Sequence, residues 1–282
     1  MMFRSKVLLM AVAAPLMVSA SAFATPFSFS TGAPDGRIGL ASRPDAGGAL
    51  EIEAADDFIL GADTRITAAS FIGLLPLGVS LSDVASVTVE MYRVFPKDSN
   101  TNRTPNVPTR TNSPSDVEFE GRDSESGDLS FSTAVLNGNF TALNSILNGI
   151  HPGQTPATGG EGAITGQEVE FDVTFNKPFD LPADHYFFVP QVQLKDGNFF
   201  WLSAPGPVSF PGDLQAWIRN GNLAPDWLRA GTDIIGGGAN APRFNESFAL
   251  TGETVPEPAS LTLLGTGLLA SVYRRRRKNT NA

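Results

Sequence analysis

The residues that could do chemistry in this 282-residue chain are few. Asp56 and Asp57 stand side by side in the run Ala54-Ala55-Asp56-Asp57-Phe58. Carboxylate oxygens are hard donors, so such a pair is a weak candidate for Ca²⁺. Adjacent residues on a strand point to opposite faces, and the two would meet at one ion only where a strand bulges or ends. Trp201, Trp217 and Trp227 fall within 27 residues, among Asp213, Gln215, Arg219, Asn220, Asn222 and Asp226. Aromatic faces bordered by planar polar groups suit the stacking and hydroxyl pairing that a sugar needs. The competing reading buries the three indoles, as is usual for Trp. His185 follows Asp184 at the head of an apolar stretch and reads as a residue at the start of a strand. His151 lies 34 residues earlier.

Other chemistries fail on residue types alone. There is no cysteine, hence no disulfide, no thiolate zinc site and no cysteine nucleophile. No G-x-S-x-G elbow and no H-E-x-x-H helix occurs. Gly236-Gly237-Gly238 lacks the Lys and Ser/Thr of a phosphate loop. No catalytic residue is assigned, and no cofactor beyond the weak Ca²⁺ candidates.

The elements that must position these residues read as β. Val169, Phe171, Val173 and Phe175 alternate strictly with Glu170, Asp172 and Thr174. Similar runs cover residues 50–60, 65–75, 85–95, 186–194, 199–202 and 247–250, bounded by Gly, Pro, Asn or Asp. The spacing predicts a mostly β body over 25–254, a β-sandwich of jelly-roll kind. One helix is expected, over 133–150, where Val135, Leu136, Phe140, Leu143, Ile146 and Leu147 fit an apolar face in part. Residues 96–128 are rich in Pro, Asn, Ser and Thr and read as a long polar surface loop, as do residues 151–162.

Both ends differ from this body. Arg4 and Lys6 precede an apolar run over 7–18, and Ala22-Phe23-Ala24 supplies the small residues of a cleavage site. Residues 1–24 therefore read as a signal peptide, cut by signal peptidase after Ala24. At the other end Val255-Pro256-Glu257-Pro258 is followed by 15 uncharged residues, 259–273, and then by Arg274, Arg275, Arg276, Arg277 and Lys278. As a helix the apolar run would be about 22 Å long, short of a hydrocarbon core of about 30 Å but able to insert with snorkelling arginines. The five cations would stay cytoplasmic, leaving the body on the far side of the membrane.

Removing the ends sharpens the charge. Two of the 20 cations lie in the leader and five in the tail, while all 29 Asp+Glu lie between them. Residues 25–257 thus carry 13 positive against 29 negative groups, a net of −16 where the whole chain shows −9. Such a body repels nucleic acid and anionic membranes, and nucleic-acid binding is excluded.

The C-terminal segment resembles the PEP-CTERM sorting signal of Gram-negative bacteria: V-P-E-P, a short Leu/Gly-rich helix, and an arginine cluster. The resemblance covers residues 255–282, about a tenth of the chain. It implies recognition by a membrane-embedded exosortase, processing near Pro256-Glu257-Pro258, a transiently membrane-anchored intermediate, and delivery to the cell surface or a biofilm exopolysaccharide matrix. The expected role is structural or adhesive, without catalytic activity. The alternative is a secreted carbohydrate-binding module or a glycan-active enzyme with a carboxylate pair. A row of exposed tryptophans would favour binding, and a convergent carboxylate pair in a cleft would favour an enzyme.

Overall fold

A computed structural model describes residues 24–46, 48–153, 155–206 and 215–256. The leader up to Phe23, including Ala22, lies outside the described residues. So do Glu257, Pro258, the apolar run 259–273 and the basic cluster 274–278. Among the described residues no helix is long and apolar enough to cross a membrane. Residues Thr25–Val255 form one compact unit.

The chain runs through β1 (Pro26–Ser30), β2 (Gly39–Ala41), β3 (Ile52–Ile59), β4 (Thr64–Pro76) and β5 (Val84–Arg93). It continues through β6 (Glu120–Asp123), β7 (Leu129–Ala142), β8 (Ser145–Ile146), β9 (Ile164–Leu181) and β10 (His185–Leu194). The last five are β11 (Phe200–Ala204), β12 (Trp217–Asn220), β13 (Leu228–Arg229), β14 (Asn245–Glu246) and β15 (Phe248–Thr254). All seven stretches expected to be strands are strands.

Two sheets result. The nine-stranded sheet runs β1-β15-β4-β11-β2-β8, with β9 on β4, β7 on β9, and β14 on β11. The six-stranded sheet runs β13-β12-β3-β10-β5-β6. The chain changes sheet from β3 to β4, from β4 to β5, from β9 to β10 and from β10 to β11, but stays within one sheet from β5 to β6.

The sheets meet through aromatic side chains. Phe188 of β10 stacks on Phe248 of β15, with ring centroids 5.0 Å apart and planes 9° from parallel. Phe188 also meets Phe71 of β4 and the edge of Trp201 of β11. Phe71 stacks on Phe171 across the β4–β9 pair at 4.9 Å. Offset and edge-on ring pairs add to the area they bury. Gly73 is required beside this cluster: a Cβ there would lie 2.1 Å from the Phe199 ring.

The helix expected over 133–150 is not formed. Residues Leu129–Ala142 are strand β7, paired with β9, and Ser145–Ile146 are β8. Gly138 weakens any helix, and Thr133, Val135, Phe140 and Thr141 are β-branched or aromatic residues that suit a pleated surface. Of the six residues behind the partial helical match, Val135, Leu136 and Leu143 are exposed, while Ile146 is buried. The polar segment 96–128 also does more than loop, since Glu120–Asp123 pairs with β5 as β6.

Because the Phe188 ring of the six-stranded sheet packs on rings from three strands of the other sheet, Phe188→Ala should lower unfolding stability by about 3–5 kcal/mol in urea denaturation. Leu136→Ala, on the exposed strand β7, should stay within about 0.5 kcal/mol of the parent.

Candidate functional site

Three places follow from the sequence. At the first, Asp56 and Asp57 both lie on β3 and point apart, as strand geometry requires. Asp56 Oδ2 accepts the Glu246 backbone N–H at 2.7 Å inside the fold. Asp57 Oδ2 lies 2.7 Å from His185 Nε2 on the other face. The two carboxylates therefore do not converge on one ion. Among the described residues no group of three or more His, Asp or Glu could hold a metal. His185 pairs with Asp57 rather than with its neighbour Asp184, which takes the Lys97 ammonium at 2.5 Å.

At the second, the tryptophans are all buried, Trp201 at 0% exposure and Trp217 and Trp227 at 1%. They do not form a shared sugar platform. Trp201 belongs to the core between the sheets, where its Nε1–H donates to the Ser247 carbonyl at 2.9 Å. Trp217 and Trp227 lie in a separate cluster with Ala55, Tyr92, Phe187 and Val189. The polar segment after β5 pins itself beside this cluster. Trp227 Nε1–H donates to the Ser115 carbonyl. Arg103 grips Asp226 with two bonds of 2.6 and 2.9 Å. Burial alone would push the Asp226 carboxyl up, but the Arg103 guanidinium and the Asn106 amide outweigh it and hold the carboxyl low.

The third place is where the sorting motif leaves the fold. Thr254 N donates to the Thr25 carbonyl at 2.9 Å, and Val255 N donates to the Asp63 carbonyl at 2.7 Å. Asp63, Arg65, Asp180, Leu181, Pro182 and Val255 line a cleft of about 240 Å³ there. Arg65 and Asp180 form a bidentate pair on its wall, at 2.7 and 3.0 Å. Pro256 follows immediately and has no N–H to continue the ladder.

The structure adds a polar network that sequence reasoning missed. Glu53 of β3, Glu90 and Tyr92 of β5 and Arg219 of β12 come together on one face of the six-stranded sheet. Arg219 donates through Nε and Nη2 to the Glu53 carboxylate, and through Nη2 to the Tyr92 hydroxyl at 2.8 Å. The Tyr92 hydroxyl lies 2.9 Å from Glu53 Oε1 and 3.0 Å from Glu90 Oε2. It has one proton and can donate to only one of them. The other contact holds only if the second carboxyl brings its own proton. Glu53 has the guanidinium, so Glu90 is the protonated member. Its pKa is pushed up to about 9 by burial first, then by Glu53, Glu118 and Glu51. Glu51, beside it, is pushed up by burial and by Glu53.

Two carboxyls bridged by one hydroxyl lie no more than about 6 Å apart. Retaining glycosidases space theirs at about 5–5.5 Å. Here the phenol fills the gap and Glu53 is 1% exposed, so a sugar ring has no place between them. The signal in the sequence was the spacing Glu51-x-Glu53 and Glu90-x-Tyr92, which puts each pair on one strand face. Nothing local showed that these strands lie on either side of β10.

Residues 254–278 match the PEP-CTERM protein-sorting motif, so the chain carries that motif at its C-terminal end. No curated protein and no solved structure matches it.

The proton on Glu90 sets a pH dependence. With a folded pKa near 9 against an ordinary 4.5, its stabilising effect is full below about pH 4.5 and is lost as pH rises through 9. Buried Glu246 acts in the same direction, raised by burial, Asp56 and Asp35. The depressed Asp180, Asp184 and Asp226 lose stability only below their ordinary value near 4. The melting temperature should therefore fall between pH 5 and 9. Glu90→Gln should flatten that slope and exceed the parent by roughly 1–2 kcal/mol, a few degrees, at pH 9. Equal slopes in the two proteins would place the proton elsewhere.

Proposed function

We propose that this protein is exported, cut behind its leader and near Pro256-Glu257-Pro258, and retained at the cell surface or in an exopolysaccharide matrix as a structural, adhesive β body. The observation that carries this reading is the junction at Val255. Hydrogen bonding to the fold runs through Val255, the second residue of the matched segment 254–278, and the Pro256-Glu257-Pro258 core of the motif follows it. A membrane-embedded exosortase can then read the motif without unfolding the body.

The strand order supports a jelly-roll sandwich. One four-strand set is β1-β15-β4-β9 and the other is β3-β10-β5-β6. Each sheet therefore joins strands far apart in sequence, and β5–β6 is the one pair made within a sheet by consecutive members of these sets. The acidic excess supports a soluble, well-hydrated surface once the cationic tail is removed. A carbohydrate-binding reading finds no support in the buried tryptophans.

Intact-mass analysis of surface material should show a chain beginning at Thr25 and ending close to Pro256-Glu257-Pro258. Replacing Arg274–Arg277 and Lys278 with Gln should leave uncut chain in the membrane fraction. Surface-located protein still carrying residues 274–282 would refute the cleavage.

A further inference from the structure

We propose that the free edge of β7 is where two copies of this chain pair, strand to strand, in antiparallel register about Ser132. Among the described residues β7 bonds to a single strand, β9, and its other edge faces outward. Its register with β9 advances one residue at a time from Leu129 to Val135 before two shifts interrupt it. Past the strand, Leu143 N is taken up by the Gly36 carbonyl. The regular part is therefore also the open part.

Exposed edges are normally guarded by lysine, by proline or by inward-pointing charge. The 14 residues of β7, LSFSTAVLNGNFTA, contain no charged residue and no proline. Ser130, Ser132 and Ala134 are exposed on one face, with Val135 at 44% and Leu136 at 50% beside them. Of the charge-free strands among the described residues β7 is the longest, in a body of net −16.

The neighbouring strand explains what the lack of charge does. On β9, Asp172 lies opposite Ser132 and Glu170 opposite Ala134. If two β7 edges pair, these acidic rows are separated by three strand spacings, about 14 Å. That exceeds the Debye length of about 8 Å at physiological salt, so the rows are largely screened from each other. In this arrangement β7 is a neutral spacer that lets two acidic bodies meet.

A second copy is the occupant that fits. The edge offers no charge by which to select a foreign strand, so recognition must come from backbone pairing and side-chain shape. An identical strand supplies both by two-fold symmetry, placing Ser132 against Ser132 and Ser130 against Ala134. The pairing is a property of the body and does not rest on the sorting reading.

The absence of cysteine makes the test direct. Single cysteines are introduced into the full-length chain in detergent, as Ser132→Cys or as Asn102→Cys in the exposed polar segment, and oxidised products are separated on non-reducing gels. Directly opposed residues of an antiparallel pair have Cα atoms about 4.5–5.5 Å apart, inside the range a disulfide accepts. Ser132→Cys should give a dimer that increases with NaCl, because salt screens the acidic bodies, while Asn102→Cys stays monomeric. Adding Ser130→Lys and Ala134→Lys together to Ser132→Cys should cut the dimer by about tenfold, since this register sets each new lysine directly opposite one on the partner strand; Ser130→Thr with Ala134→Thr should not. All these changes are at exposed positions, and an unchanged melting temperature would show that the fold is intact. Ser132→Cys dimer no greater than that of Asn102→Cys, or a dimer that the paired lysines leave untouched, would overturn the proposal.

Discussion

The contact between Phe188 and Phe248 joins the two sheets, and the rest of the body depends on it. The rings come from strands that share no hydrogen bonds and lie 60 residues apart in the chain. Around them Phe71, Phe171 and Trp201 complete an aromatic centre reached from both layers. With no disulfide to constrain the unfolded chain, stability has to come from packing of this kind. This accounts for the need for Gly73, where even one methyl group would displace Phe199.

Electrostatics in the body follows from having too few cations. Two buried carboxylates find an arginine: Asp226 pairs with Arg103, which helps hold its carboxyl below the ordinary range, and Glu53 pairs with Arg219. Glu90 and Glu246 find no cation of their own and are pushed toward the protonated form. The Tyr92 hydroxyl is the hinge of this division, because its single proton cannot serve two ionised neighbours. At the sheet edge the same acidity leaves β7 as an uncharged border.

Much of the fold was legible because alternation survives in one dimension. Val169 to Phe175 faces the core with every second residue, and its pattern is visible without any partner. Strand β10 is different. Both of its faces are covered, so its burial hardly alternates, and its type came from β-branched and aromatic content. Strand β7 was misread because at an outermost strand exposed Val135 and Leu136 carry no burial signal, and their spacing imitates a helical face. The short strands β2, β8, β13 and β14 have two or three residues each and are held only by their partners.

The sequence by itself determined the C-terminal sorting motif, the acidic character of the body before it, and the β class. Each of these is written in contiguous residues: a Pro-Glu-Pro run, an uncharged stretch and a basic cluster at the C-terminal end, alternation in the body. Only the tertiary structure decided that Asp56 and Asp57 separate, that the tryptophans divide between two clusters, and that Glu53, Glu90, Tyr92 and Arg219 form one network. Those outcomes depend on which strands lie side by side, and pairing between residues as distant as 53 and 219 is set by the packing of whole sheets.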